Sequence, residues 1–157
     1  MRRTCYVVIV ALLFLQAAVV GLIAPPWTFD ELRSKSDLII IAERGATRDA
    51  GIKTEFTDLR PPFPVVALNT NFKVLSVLKG TPRGSILLRH YRQDADRLPG
   101  PIVNAPLGLD FSRGPTTVYL LFLKRESDDL YAPTSGHVFP DFSILALPEG
   151  PLTVFPR

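Results

Sequence analysis

The sequence predicts a mainly β domain closed as a small barrel, and three observations carry that prediction. The first is a pair of strand-turn-strand blocks. NFKVLSVLKG at 71–80 passes through TPRG into SILLRHY at 85–91, and VYLLFLK at 118–124 passes through a polar turn into LYAPTSG at 130–136. Such runs of β-branched and aromatic residues, bounded by Gly, Pro and Asp, read as strands. The second is the load of 15 prolines and 10 glycines, which argues against a mostly helical chain because proline removes an amide donor and breaks helix interiors. The third is an apolar fraction of 46% in 157 residues, enough for one ordered core and too short for two domains.

The N-terminus reads as an export segment. Arg2 and Arg3 form a positive start, and Tyr6 through Ala24 is apolar except for Gln16. That is the layout of a secretory signal, with Val19 and Gly21 small enough for cleavage after Gly21. The competing reading is an anchor through residues 6–24, since a run of about 20 apolar residues just spans a bilayer. The glutamine and the short run favour cleavage. The intact mass of the exported protein decides it: loss of residues 1–21 is expected, and a mass that retains them means an anchor. The domain is expected at 25–147, followed by a proline-punctuated tail at 148–157.

Cysteine and charge narrow the function classes. The one cysteine, Cys5, lies inside the export segment, so the rest of the chain forms no disulfide and rests on its apolar core. Without Arg2 and Arg3 the 18 basic residues become 16 against 15 acidic. A near-neutral domain has no global electrostatic case for nucleic acid or anionic membranes.

Along the chain, TFDE at 28–31 has the capping-box form and predicts a short helix over 28–36. Leu38–Ala42 is an unbroken apolar run, as in a buried strand. Residues 44–63 mix Gly, Arg, Asp, Lys and Thr before RPPFP, and read as a loop or hairpin excursion. From 65 to 78 the strand signal is strong: Phe72, Val74 and Ser76 share one face, and Lys73, Leu75 and Val77 the other. Apolar residues on both faces suit a strand covered on both sides for part of its length. In 85–91, Ile86, Leu88 and His90 alternate with Leu87, Arg89 and Tyr91. Residues 92–116 are proline-rich with no helical period and predict a long surface loop, held down by Ile102, Val103, Leu107, Leu109 and Phe111. Further strands are expected at 117–123, 130–132 and 142–147.

The order of these blocks resembles the netrin-like domains related to tissue inhibitors of metalloproteases, in their short exported bacterial form. The strand starting DLIII, then FKVLSVLKG, ILLR, YLLFLK and LYAPTSG carry the resemblance over roughly 28–147. It implies a five-stranded OB-like barrel with a short N-terminal helix and long proline-rich loops. It does not imply protease inhibition. In the animal inhibitors a mature N-terminal cysteine sits on the catalytic zinc, and once the segment holding Cys5 is cleaved this chain is expected to have none. The helix that an OB fold places between its third and fourth strands is also not expected in the proline-rich 92–116.

Candidate chemistry is sparse. His90 and His137, with Asp141, allow a metal site to be drawn, but two histidines without cysteines have no ligand spacing; the simpler reading is a strand end and a turn, each hydrogen-bonded locally. Ser135 stands two residues from His137, yet no G-x-S-x-G elbow exists and the pair is poorly placed for proton transfer. Arg83, Arg89, Arg92 and Arg97 with Tyr91 and Phe72 have the composition of a basic, aromatic face, interrupted by Asp94 and Asp96. Lys124-Arg125 followed by Glu126, Asp128 and Asp129 reads as a charged hairpin tip. Phe139 and Phe142 with Phe155 read as closure of one end of the core rather than an open patch. The candidate binding surface is therefore Arg83, Arg89, Tyr91, Arg92, His137 and Phe139. The expected function is a secreted or periplasmic, non-enzymatic binding module. Its partner is expected to be a protein or envelope component met through the 44–63 and 92–116 loops, with no cofactor, no metal and no nucleic acid. A membrane contact is expected only if residues 6–24 are retained. The alternatives are a membrane-anchored envelope protein and an accessory domain of a hydrolase or protease system.

Overall fold

The computed structural model describes residues 27–59, 61–98, 108–111 and 117–148. The expected export segment, most of the tail with Phe155, and the predicted anchors Ile102, Val103 and Leu107 lie outside them. Among the described residues no helix is long and apolar enough to cross a membrane.

The expected helix forms as α1 (Phe29–Lys35). Its start is the reciprocal cap read from the sequence: the Glu31 amide donates to Thr28 Oγ1 at 3.2 Å, and the Thr28 amide donates to the Glu31 carboxylate at 2.9 Å. Two orphan donors are thereby satisfied. At the other end Lys79 Nζ donates to the Arg33 carbonyl at 2.8 Å, a cation placed on the negative helix terminus. Leu32 is the buried residue of this helix and packs with Ile39 and Phe122.

Six strands follow: β1 (Leu38–Phe56), β2 (Phe63–Lys79), β3 (Ser85–Gln93), β4 (Val118–Arg125), β5 (Leu130–Pro133) and β6 (Ile144–Ala146). Five of them make a ring-like sheet. β1 pairs β2, β2 pairs β3, β3 pairs β5, β5 pairs β4, and β4 returns to β1 through Leu38↔Leu123 to Glu43↔Val118. All of these pairings are antiparallel except β3 with β5, where Leu87↔Leu130 and Leu88↔Tyr131 run parallel. β6, short and outside the ring, pairs β4 on its other side.

The ring explains the apolar pattern. Leu38, Ile40 and Ala42 bury inward with Phe72, Ile86, Leu88, Leu121, Leu123 and Tyr131, while Ile39 buries outward beneath α1. A strand covered on both sides needs apolar residues at every position, which is why residues 38–42 do not alternate. Phe72 stands at the centre, edge-to-face with Phe111 at 5.5 Å and Tyr119 at 5.9 Å between ring centroids. Gly80 turns the chain at φ +86°, where a Cβ would lie 2.7 Å from the Asp37 carbonyl oxygen; only glycine fits there without strain.

Several expectations need correction. Of the two readings of 44–63, a loop or a hairpin excursion, the structure shows the hairpin: β1 continues through 44–56, paired with β2 as far as Phe56↔Phe63. Register shifts at Arg44/Thr47 and Asp49/Lys53 break the alternation that would have marked a strand. Beyond Glu43, β4 no longer accompanies β1, so this part of the hairpin is mostly exposed along β1. The two-sided cover expected for 65–78 falls at Phe63–Ala67 instead, and Leu75 and Val77 stand exposed. The expected strand at 142–147 is shorter, because the 3-10 turn Pro140–Ser143 precedes β6. In the predicted 92–116 loop, β3 runs on to Gln93 and a 3-10 turn covers Ala95–Arg97, while Leu109 and Phe111 pack on the core as expected.

Candidate functional site

Sheet alternation puts Arg89 and Tyr91 on the outer side of β3 and His90 on the inner side. The first two join a polar cluster completed by the β4–β5 turn and the segment after β5. Arg89 Nη1 lies 3.5 Å from Glu126 Oε2, and His137 Nε2 lies 3.4 Å from Glu126 Oε1. His137 also stacks edge-on against Tyr91, with centroids 4.7 Å apart, and Phe56 meets the same tyrosine at 5.3 Å. Burial lowers the His137 pKa, opposed by the nearby Glu126 carboxylate. Burial raises that of Tyr91.

Three of the six candidate residues, Arg89, Tyr91 and His137, therefore come together. Arg92 lines a small crevice with Tyr91 and His137, while Arg83 and Phe139 are placed elsewhere. Arg83 is at the β2–β3 turn, 3.3 Å from Asp129. Arg92 reaches Asp49 of β1 at 3.5 Å, and Arg97 pairs with Glu55. Each of these four arginines faces a carboxylate, so the basic face drawn from composition is a set of ion pairs. Phe139 is half-buried and tilts against Phe142 with centroids 6.3 Å apart. Glu126 sits on the charged β4–β5 hairpin tip that the sequence predicts, and from there it also bridges Arg89 and His137. Nothing in its local sequence signals this, since both partners come from other elements.

Ser135 is held as a turn residue. Its hydroxyl donates to the Phe139 carbonyl at 2.7 Å, and it accepts from the Ser143 hydroxyl at 2.8 Å. The arrangement orders the chain after β5 and does not join the serine to an imidazole. Asp141 is exposed on the 3-10 turn. Among the described residues no three of His, Cys, Asp and Glu gather in a metal-holding group.

His90 departs from its expected place at a strand end with local hydrogen bonding. It is 1% exposed, and its Nε2 lies 2.8 Å from Thr70 Oγ1, which in turn lies 2.7 Å from Thr47 Oγ1. Burial, with a smaller contribution from His137, lowers its pKa to about 4, so the ring is neutral near pH 7.

A second surface is apolar. Phe29 and Leu78 are 65% and 59% exposed on it, while Leu75 and Val77 are exposed elsewhere along β2. Between α1 and the sheet lies an open groove of about 580 Å³, walled by Phe29, Ile39, Leu78, Leu120 and Phe122 and edged by Arg33, Lys79 and Asp30. Phe29 meets Phe122 edge-to-face across it at 5.8 Å. Sequence reasoning missed this surface because its walls come from α1, β1, β2 and β4, which only the fold brings together. Comparison with family models, with curated proteins and with solved structures finds no match.

Proposed function

We propose that the chain is an exported, non-enzymatic binding module on an OB-type five-stranded barrel, and that its partner is a protein of the cell envelope. The strand ring with one parallel pairing, β3 beside β5, supports the barrel reading, since OB folds are five-stranded, partly open Greek-key barrels. The netrin-like resemblance belongs to the same reading, without the cysteine wedge.

The observation that carries the binding role is the open apolar groove beside α1, with Phe29 and Leu78 exposed on its wall. Contiguous exposed apolar surface with a charged rim is typical of a protein-binding site. The rim residues Arg33 and Lys79 outnumber Asp30, so the partner surface is apolar with acidic flanks. This replaces the arginine-rich candidate surface, whose charges are already matched by carboxylates. It also moves recognition away from the 44–63 and 92–116 loops.

A photo-crosslinking residue at position 78, compared with one at position 89, tests the assignment in cells that export the protein. A discrete heteromeric adduct from position 78 and none from position 89 is expected. An adduct of twice the chain mass, a lipid adduct, or a heteromeric adduct from position 89 alone contradicts it.

A further inference from the structure

On the side of the ring where β1 leaves β4 there is a separate cleft, which shares no residue with the apolar groove. It measures about 350 Å³ and is lined by Arg44, Thr47, Leu68, His90, Leu109 and Phe111, with Gly45 and Asp110. Its volume is within the range of small-molecule sites, and its mix of apolar walls with a few convergent polar groups is what such sites share.

The polarity of the hydrogen-bond chain behind the cleft follows from one orphan atom. His90 Nδ1 is buried and has no hydrogen-bond partner. A buried N–H left unpaired is costlier than a bare lone pair, so the proton of the neutral ring sits on Nε2. Nε2–H then donates to Thr70 Oγ1, and the Thr70 hydroxyl donates to Thr47 Oγ1. The Thr47 hydroxyl proton is left over, at a residue that lines the cleft and is itself exposed. The chain thus delivers a hydrogen-bond donor to the cavity.

Arg44 supplies a second donor. It is half-buried and has no acidic partner among the described residues, unlike Arg83, Arg89, Arg92 and Arg97. A guanidinium suits a carboxylate in a planar, two-bond arrangement. Asp110 lines the same cleft but is engaged in an interaction of its own. Its negative charge works against a phosphate-like dianion and leaves a singly charged acid as the better fit.

We propose that this cleft binds a short-chain monocarboxylate. Its head group sits on Arg44 and the Thr47 hydroxyl, and its alkyl chain lies against Leu68, Leu109 and Phe111. The probe is sodium butyrate, titrated into the purified exported protein at constant ionic strength and followed by 1H–15N NMR. Butyramide, of the same shape without the charge, is the control. Saturable shifts at Gly45, Thr47 and the His90 ring nitrogens are expected with butyrate and not with butyramide. Arg44→Gln and Thr47→Ala are each expected to weaken binding, the arginine change by tenfold or more. Absence of saturable shifts up to about 50 mM, a scale set by millimolar affinity, overturns the proposal, as does an equal response to butyramide. Because the butyramide comparison uses the unaltered protein, a variant that fails to fold does not shield the proposal.

Discussion

Phe72→Ala is expected to destabilise the folded domain by about 3–5 kcal/mol, read from the urea midpoint. The ring of Phe72 is 0% exposed and meets Phe111 and Tyr119 edge-to-face, so truncation removes both buried area and aromatic pairing. It also opens a cavity where β2 crosses the middle of the core and its neighbours cannot collapse without breaking the ring. Domains of this size hold only about 5–15 kcal/mol in total, so the variant loses a large share of its stability. Leu121→Ala, also 0% exposed on β4, is expected to cost about 2–5 kcal/mol. A change below about 0.5 kcal/mol at either site is the behaviour of a surface residue and contradicts the described core.

The second large effect is acid destabilisation centred on His90. Its pKa in the folded protein is lowered to about 4, from an ordinary 6.5, chiefly by burial. As pH falls below 6.5 the unfolded chain takes up a proton that the folded chain refuses until about pH 4. Stability is therefore complete above pH 6.5 and is lost progressively down to pH 4, by about 2 kcal/mol at pH 5 and about 3 kcal/mol at pH 4. His137 adds to the loss in the same direction, because burial also lowers its pKa. Urea titrations at pH 7 and pH 5 measure the effect. His90→Gln is expected to be less stable at pH 7 and to show a much smaller difference between the two pH values. An unchanged pH difference in that variant contradicts the assignment to His90.

Much of the fold was legible because local sequence and tertiary burial agree. The Thr28–Glu31 capping box predicted α1 to within a residue. The alternation of Ile86, Leu88 and His90 against Leu87, Arg89 and Tyr91 matches the inner and outer sides of β3. The second half of β1 was not legible, because two register shifts and a run of charged residues hide a strand whose pairing with β2 is nevertheless continuous in direction. The candidate sites were harder still. Glu126 reaches a partner on β3, and Thr47, Thr70 and His90 lie on three different strands. Such contacts are set by ring closure, which no short window of sequence encodes. The exposure of Leu75 and Val77 was missed for a related reason. An apolar residue on a strand announces that it can be covered, and only the whole fold decides whether anything covers it.

The reading of the chain as a module that binds an envelope protein through its apolar face rests most directly on one experiment. A photo-crosslinker at position 29 is placed in a chain that also carries Leu78→Asp. Leu78 lines the same groove and is exposed, so the urea stability is expected to stay within about 0.5 kcal/mol of the parent. The heteromeric adduct formed by the parent is expected to disappear. An adduct that persists at full yield in the folded, substituted protein contradicts the account.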